Sequence, residues 1–370
     1  MITKLINSLD KLPTVSPDAA KSYEKEEERL VNYVNNELEA NPKIFELIGG
    51  NPLDLMRNNH SNHATFMATV FKIGSHELLA KTIPWVYRAY HARGFSYDYF
   101  PVELSAWKSA VSECLDHVYA AEIIEVYDWM ISHHMDMIPL SVSSEGLTFS
   151  PQRETNEMQE VLLSLLLNGD SKGSLQLVNQ SIQTIDDLKH FYLDVVCPAL
   201  YRIGLLWEKN DISVAEEHIA TAIVGRISAA LYPRFANVDA YRGKTVVTAG
   251  PNEFHEVGAR MLADFLEIEG WDVTYLGANT PKEELLAILK QHKPFMVAMS
   301  VATMFNLDHA KKAIEMIKAD PETRGIKILS GGLAFNSMPQ LWRNLGADGY
   351  AADANKGAVS ANAWWEERTI

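Results

Sequence analysis

Cysteine is nearly absent from this chain: there are two, Cys114 and Cys197, in 370 residues. That excludes a disulfide framework and a cysteine-based zinc site, and it fits a reducing cytoplasm. No apolar run approaches the ~20 residues that a membrane span requires, so no membrane association is expected. The opening stretch, MITKLINSLDKLPTVSP, has neither an unbroken apolar core nor a small-residue cleavage site, so no signal peptide is read there. Positive charge is also scarce. Lys and Arg number 33 against 48 Asp and Glu, a net charge of −15, and no basic run interrupts it. Phosphate backbones repel such a surface, which argues against direct DNA binding. Internal repeats and low-complexity segments are missing too. What is present is the composition of a globular protein, 47% hydrophobic and 22% charged, in a chain long enough for two or three domains.

The first part of the chain reads as helical. Ser16-Pro17-Asp18 is a helix start, with a capping hydroxyl followed by a proline whose missing N–H costs nothing there. Helical spacing continues around 62–72, 75–93, 101–118 and 120–135, broken at Gly49-Gly50-Asn51-Pro52 and Gly94. Residues 138–150 read as a linker with some extended character, and Ser150-Pro151 as the start of the next helix. Residues 151–236 read as a four-helix bundle. Gly169-Asp170 ends its first helix, Thr184 with Asp187 starts a long one reaching Trp207, and Ser213 with Glu216 forms a capping box for the last. Beyond Gly243 the rhythm becomes strand–helix alternation. KTVVTAG (244–250), WDVTYLG (271–277), FMVAMSV (295–301), KILSGG (327–332) and DGYAA (348–352) are the strands. That pattern predicts a doubly wound parallel sheet, which binds ligands beyond its C-terminal strand ends.

The loop after the first strand carries Glu253, Phe254, His255 and Gly258. A carboxylate two residues before a histidine is placed to hold one ring nitrogen, which fixes the tautomer and strengthens the other as a metal ligand. Gly258 lets the following helix approach a bulky group. Ser300, Ala302 and Thr303 end the third strand, and Gly331-Gly332 the fourth, which predicts a deep slot with hydrogen-bonding groups at its mouth. A lone histidine or a lone Gly-Gly carries no signal; their combination does. Glu253-x-His255-x-x-Gly258, Ser300-x-Ala302 and Gly331-Gly332 together resemble the signature of the B12-binding domains. Glu stands where that family has Asp, and Ala302 where it has Leu. The resemblance, over roughly 243–370, implies a Rossmann-like, flavodoxin-type fold. It also implies a cobalamin whose benzimidazole tail lies buried in the slot and whose cobalt takes His255 as lower ligand. A dinucleotide site is the rival use of such a sheet, but the first loop has no Gly-x-Gly-x-x-Gly.

In the bundle, Trp207 is followed nine residues later by Glu217-His218. This is similar to the Trp-x9-Glu-His motif of the CarH-like cobalamin photoreceptors. It implies that Trp207, Glu217 and His218 cap the 5′-deoxyadenosyl group of adenosylcobalamin. The residue after the tryptophan is Glu208, where the CarH-like repressors have a histidine that binds cobalt after illumination. The upper ligand after light is therefore open. Those repressors also begin with a helix-turn-helix, and no basic recognition helix is read here.

The segment 84–107 mixes Tyr87, Tyr90 and Tyr97 with Arg88 and His91. Aromatic rings stack on flat conjugated molecules and guanidinium groups pair with their carboxylates. With the bundle and the B12 domain behind it, the layout resembles the photocobilins, which pair cobalamin with a bilin held in a globin-like N-terminal domain. The resemblance implies biliverdin at Tyr87, Arg88, Tyr90, His91 and Tyr97. Cys114, the one cysteine of this region, lies on an apolar helix face with Ala110, Val111, Leu115 and Val118, so binding is expected to be noncovalent. Haem held by His60, His63, His76 or His91 is the rival.

The expected architecture is therefore multi-domain: an all-α, globin-like domain over 1–145, a four-helix bundle over 150–238, and a Rossmann-like α/β domain over 239–370. The expected protein is a cytoplasmic light sensor and not a catalyst, holding adenosylcobalamin and biliverdin. Light breaks the cobalt–carbon bond and changes self-association of a homo-oligomer, or binding of a downstream protein effector. A corrinoid carrier of a methyltransferase system is the alternative.

Overall fold

A computed structural model describes residues 2–9, 12–143, 156–235 and 239–368. The chain forms two compact units, Met1–Thr148 with Glu208–Asn210, and Phe149–Trp207 with Asp211–Ile370.

The first unit is all-helical. Its described helices are α1 (Ile2–Leu9), α2 (Pro17–Lys25), α3 (Glu27–Glu39), α4 (Ile44–Leu47), α5 (Leu53–Ile73), α6 (His76–Ala92), α7 (Tyr99–Cys114), α8 (His117–Ser132) and α9 (His134–Val142). Ser16 caps α2 by accepting from the Ala19 N–H, with Pro17 in the first turn. The two glycine breaks turn out to meet. Gly49 has φ +62°, and a Cβ there would collide with the backbone of Gly94, so the loop before α5 packs directly on the loop after α6. The linker reading of 138–142 is corrected: these residues belong to α9, with Pro139 inside it. Proline and a run of serines mimic a loop in sequence, but burial of Met137, Leu140 and Ser141 holds the segment helical. Residues 144–155, with the rest of that linker and the Ser150-Pro151 start, lie outside the described residues.

The second unit opens with a helical bundle: α10 (Glu157–Leu167), α11 (Ser171–Ser181), α12 (Ile185–His190), α13 (Cys197–Glu208) and α14 (Val214–Phe235). The side chains of Thr184 and Asp187 cap one another's backbone at the start of α12. Ser213 and Glu216 do the same for α14, at 2.7 and 3.2 Å. Between α12 and α13 the chain does not break but widens into a π-helical turn, Phe191–Val196. Sequence periodicity did not announce it. Single π turns inside α-helices concentrate at functional sites.

The sheet consists of β1 (Lys244–Ala249), β2 (Asp272–Gly277), β3 (Met296–Ser300), β4 (Lys327–Gly331) and β5 (Gly349–Ala351), all parallel, in the order β2-β1-β3-β4-β5. The order reverses between β1 and β3, which creates a crevice at their C-terminal ends. The helices α15 (Val257–Ile268), α16 (Lys282–His292), α17 (Leu307–Ala319), α18 (Leu333–Ser337), α19 (Leu341–Leu345) and α20 (Ala354–Glu367) cover it. Val247, Ala298 and Leu329 face α15 and α20, and share one core with the bundle residues Phe191, Val195 and Ile223. Bundle and α/β domain are thus one hydrophobic body.

Candidate functional site

β1 ends at Ala249, and the next residues turn sharply: Asn252 adopts φ +61° and the Glu253 N–H donates to the Gly250 carbonyl at 3.0 Å. The turn drives Glu253 inward, fully buried, and leaves Phe254 and His255 outside, the His255 side chain 59% exposed. One oxygen of Glu253, Oε1, accepts from His255 Nδ1 at 2.5 Å and from the His255 backbone N–H at 3.0 Å. The other, Oε2, accepts from the backbone N–H groups of Ala302 (2.9 Å) and Thr303 (3.1 Å) and from the Asn306 amide (3.1 Å). Burial alone would push this carboxyl up. The bond and charge of His255 with the other donors outweigh it and hold the carboxyl at about 2. The Glu253 hydrogen bond in turn raises the His255 imidazole, with burial opposing and the charges of Glu253 and Glu217 adding. With Nδ1 engaged, His255 keeps Nε2 for a ligand outside. That is the arrangement a metal-binding histidine requires.

The donor set fits cobalt in a corrin. Among the described residues no cluster of three His, Cys, Asp or Glu side chains could hold a bare ion. A single exposed imidazole instead suits a metal that arrives with its equatorial nitrogens supplied. Gly258 lies at the start of α15, where a Cβ would sit 3.4 Å from Ser300 Oγ.

The strand ends act differently from the sequence expectation. Ala302 and Thr303 serve Glu253 through their backbone N–H groups. Gly332 has φ +95°, and a Cβ on it would collide with the Val301 backbone, while one on Gly331 would come 2.9 Å from the Ala351 carbonyl oxygen. The two glycines therefore let β3, β4 and β5 close up at their ends. Asn306, Asn252 and Asn279 were missed by sequence reasoning. Asn252 donates to Asn306 Oδ1 at 3.2 Å, and Asn279 Oδ1 accepts from the Asn252 N–H at 3.0 Å, bracing the turn. The available signal was the Pro251-Asn252 turn dipeptide.

On the bundle, Glu217 occupies the first turn of α14. It is half-buried, bonded to His218 Nδ1 at 2.6 Å and to the Thr221 hydroxyl at 2.8 Å. Its charge reaches His255. His218 itself is 73% exposed, and Trp207 is half-buried at the end of α13. The π turn anchors this bundle on α15 through the Tyr192 hydroxyl, which donates to Asp264 at 2.8 Å, and Lys189 of α12 pairs with Glu269 just beyond α15 at 2.8 Å. Burial pushes the Asp264 carboxyl up to about 6. Glu208 clusters with the N-terminal unit, where it is buried and paired with Arg88. Its carboxylate is already engaged there.

Of the five residues expected to hold a bilin, Tyr87, Tyr97 and His91 form one run of rings, with Tyr87 stacked on Tyr97 at 6.3 Å. Tyr87 is buried, stacked on Phe100 at 3.7 Å and bonded to His134. The Arg88 Nε donates to the Ser141 carbonyl at 2.6 Å. His91 is exposed and stacks on Tyr97 at 4.0 Å, and the Tyr97 hydroxyl lies 3.3 Å from Ser141 Oγ. Only Tyr87 and Tyr90 of the five line the internal cavity of this unit, about 40 Å³ in volume. Beside them stand His63 and Glu103, which the sequence reading did not place there. Two of the histidines of the haem alternative are hydrogen-bonded. Both nitrogens of His60 are bonded, to Asn35 and Tyr99, and His63 Nε2 is bonded to Tyr127. Cys114 is half-buried and its thiol is pushed up by burial, which favours the inert form. Val118, expected beside it, belongs to the next helix and is 56% exposed. No described helix is long and apolar enough to cross a membrane.

Comparison with known proteins agrees with this geometry. Residues 243–359 match a family model described as a B12 binding domain, and residues 158–232 match a second model of the same description. Over 205 residues the chain is 26% identical to the HTH-type transcriptional repressor CarH of Myxococcus xanthus, a match covering 55% of this chain and 67% of that protein. It is 30% identical over 152 residues to the repressor CarA of the same organism, covering 40% of this chain and about half, 49%, of CarA. Dimethylamine corrinoid protein 1 of Methanosarcina acetivorans is 22% identical over 162 residues, 43% of this chain and 75% of that protein. Among solved structures, the monomethylamine corrinoid protein of Methanosarcina barkeri shares the fold. Its TM-score is 0.51 at 16% identity, over 57% of this chain and 100% of that one.

Proposed function

We propose that this cobalamin-binding protein, with its CarH-like pair of B12-binding domains, is a light sensor that carries adenosylcobalamin and a second chromophore, biliverdin. The observation that carries the reading is the placement of Glu217, in the cap motif Trp207-x9-Glu217-His218, within electrostatic reach of His255 in one compact unit. In this reading His255 ligates cobalt through Nε2, Glu253 holds the ring, and Gly258 with Ser300 admits the nucleotide tail. Trp207, Glu217 and His218 cover the adenosyl group. When bound, adenosylcobalamin supplies a cobalt–carbon bond that visible light breaks. Trp207 then loses its packing partner, and the helix carrying it is released from one of two states, which is what a ligand-biased switch requires. The output is a change in self-association or in binding of a partner protein.

The test is an absorption spectrum of protein loaded with adenosylcobalamin and biliverdin, taken in the dark and after green light. Separate cobalamin and far-red bilin bands, with an irreversible change in the former, are expected. A cobalamin band that light does not alter would sink the sensor reading. The likeness to the methanogen corrinoid proteins supports a second reading, a methyl-group carrier. Tighter binding of methylcobalamin than of adenosylcobalamin would favour it.

A further inference from the structure

The N-terminal unit buries a carboxyl group that its fold does not need. Glu103 of α7 is 3% exposed, and among the described residues its one hydrogen bond is from Trp107 Nε1 to Oε1, at 3.1 Å. His63 Nδ1 lies 3.9 Å from the same oxygen, beyond hydrogen-bond range. Any neutral acceptor would satisfy the tryptophan, and a partly satisfied buried carboxyl is a costly way to do so. Glu103 lines the cavity, and so does Tyr90. The rest of the wall is apolar: Phe66, Met67, Ile83, Phe100, Leu104 and Met130. An apolar chamber with two polar side chains in its wall is the form of a ligand site.

We propose that this cavity receives one flat, conjugated ring bearing an N–H donor, with Glu103 accepting from the N–H and the Tyr90 hydroxyl as the second polar contact. The proposal rests on the two-chromophore reading and names the anchor within it. A volume of about 40 Å³ holds roughly three waters, or one small ring in their place. Further rings of the same molecule require Met67 and Met130, unbranched and adaptable side chains, to turn aside. Burial pushes the Glu103 carboxyl up to about 7, with the Trp107 bond opposing. The titratable groups around it are His63 of α5, Tyr87 and Tyr90 of α6, Tyr99 on its own helix, Tyr127 of α8 and Tyr23 of α2. Burial raises the phenols far above neutrality and lowers His63 to about 3, so Glu103 alone of this group titrates near pH 7.

Full-length protein is titrated with biliverdin as the probe, as wild type, Glu103→Gln and the cavity-filling Met67→Trp. Circular dichroism checks that each variant folds. Expected results are binding by wild type with a band that shifts with pH around neutrality, and roughly tenfold or greater weakening in Glu103→Gln with loss of that pH response. Met67→Trp is expected to bind nothing. Wild-type protein that binds no biliverdin overturns the second-chromophore reading and this inference with it. Binding by wild type and both variants with equal affinity and spectrum overturns the inference alone, because the chromophore then sits elsewhere. If Met67→Trp does not fold, Glu103→Gln decides.

Discussion

Replacing Glu253 by glutamine tests the heart of the cobalamin site. The carboxylate receives two N–H groups of His255 on one oxygen, and the Ala302, Thr303 and Asn306 donors on the other. Glutamine has one acceptor oxygen and one amide nitrogen. Turned either way, it sets an NH2 group against at least two N–H donors. Hydrogen bonds to a charged partner contribute about 1.5–3 kcal/mol each, and a buried donor left unpaired costs about 1–3 kcal/mol. Apo Glu253→Gln should therefore lose about 3–5 kcal/mol of stability. If His255 is the cobalt ligand, loosening the group that orients it should cost about 10–100-fold in affinity. The assay is titration of adenosylcobalamin with protein, following the corrinoid absorption that distinguishes histidine ligation from ligation by the benzimidazole tail. The pH dependence runs in a fixed direction. Glu253 sits below its ordinary 4.5, so its contribution to stability is present above 4.5 and fades toward about 2. His255 sits above its ordinary 6.5, so its contribution to stability is complete below 6.5 and is lost as pH rises through the elevated value. Cobalt competes with a proton for Nε2, so affinity should rise with pH across that same range. Histidine ligation by Glu253→Gln within twofold of wild type, with an unchanged pH profile, would refute the reasoning.

Other perturbations bear on separate parts. Trp207→Ala should reduce the preference for adenosylcobalamin over methylcobalamin, measured by competition, while leaving methylcobalamin binding unchanged. Gly332→Ala places a side chain at φ +95° against the Val301 backbone, and should cost about 3 kcal/mol or prevent folding. A melting temperature within 2 °C of wild type, roughly the shift from 1 kcal/mol in a chain of this size, would contradict it. Asp264 sits above its ordinary 3.8, at about 6, so its charge costs stability from 3.8 upward and in full above about 6. Asp264→Asn, which can still accept from Tyr192, should gain about 1–2 kcal/mol at pH 7.5 and roughly half of that at pH 5, read from melts at both.

Much of the α/β domain was legible because its strands are short apolar runs that alternate with helical patterns, the first of them β-branched. His255 and Glu253 stood out as two chemistry-bearing residues on a strand-end loop. What stayed hidden depends on contacts distant in sequence. Asn306 matters through a carboxylate 53 positions earlier. Gly331 and Gly332 looked like the floor of a slot, and their reason is the approach of neighbouring backbones. In the N-terminal unit, aromatic content pointed to 84–107, yet the isolated acid proved to be Glu103, flanked by Val102 and Leu104 on a buried helix face. Stacking of Tyr87 on Phe100 and of His91 on Tyr97 uses up rings that composition alone makes available.

The π turn between α12 and α13 gives the bundle a form of stored rotation. A π turn accommodates more residues per revolution than an α-helix, so a helix containing one is out of phase with its own continuation. Each residue drawn back into ordinary α geometry turns everything beyond it by about 100° and displaces it by about 1.5 Å along the axis. The part beyond Val196 is α13, which carries Trp207 in its last turn. The part within the turn is fixed to α15 through Tyr192 and Asp264. A small change in winding beside that anchor would therefore swing the tryptophan like a key in a lock, with no hinge loop and no broken helix.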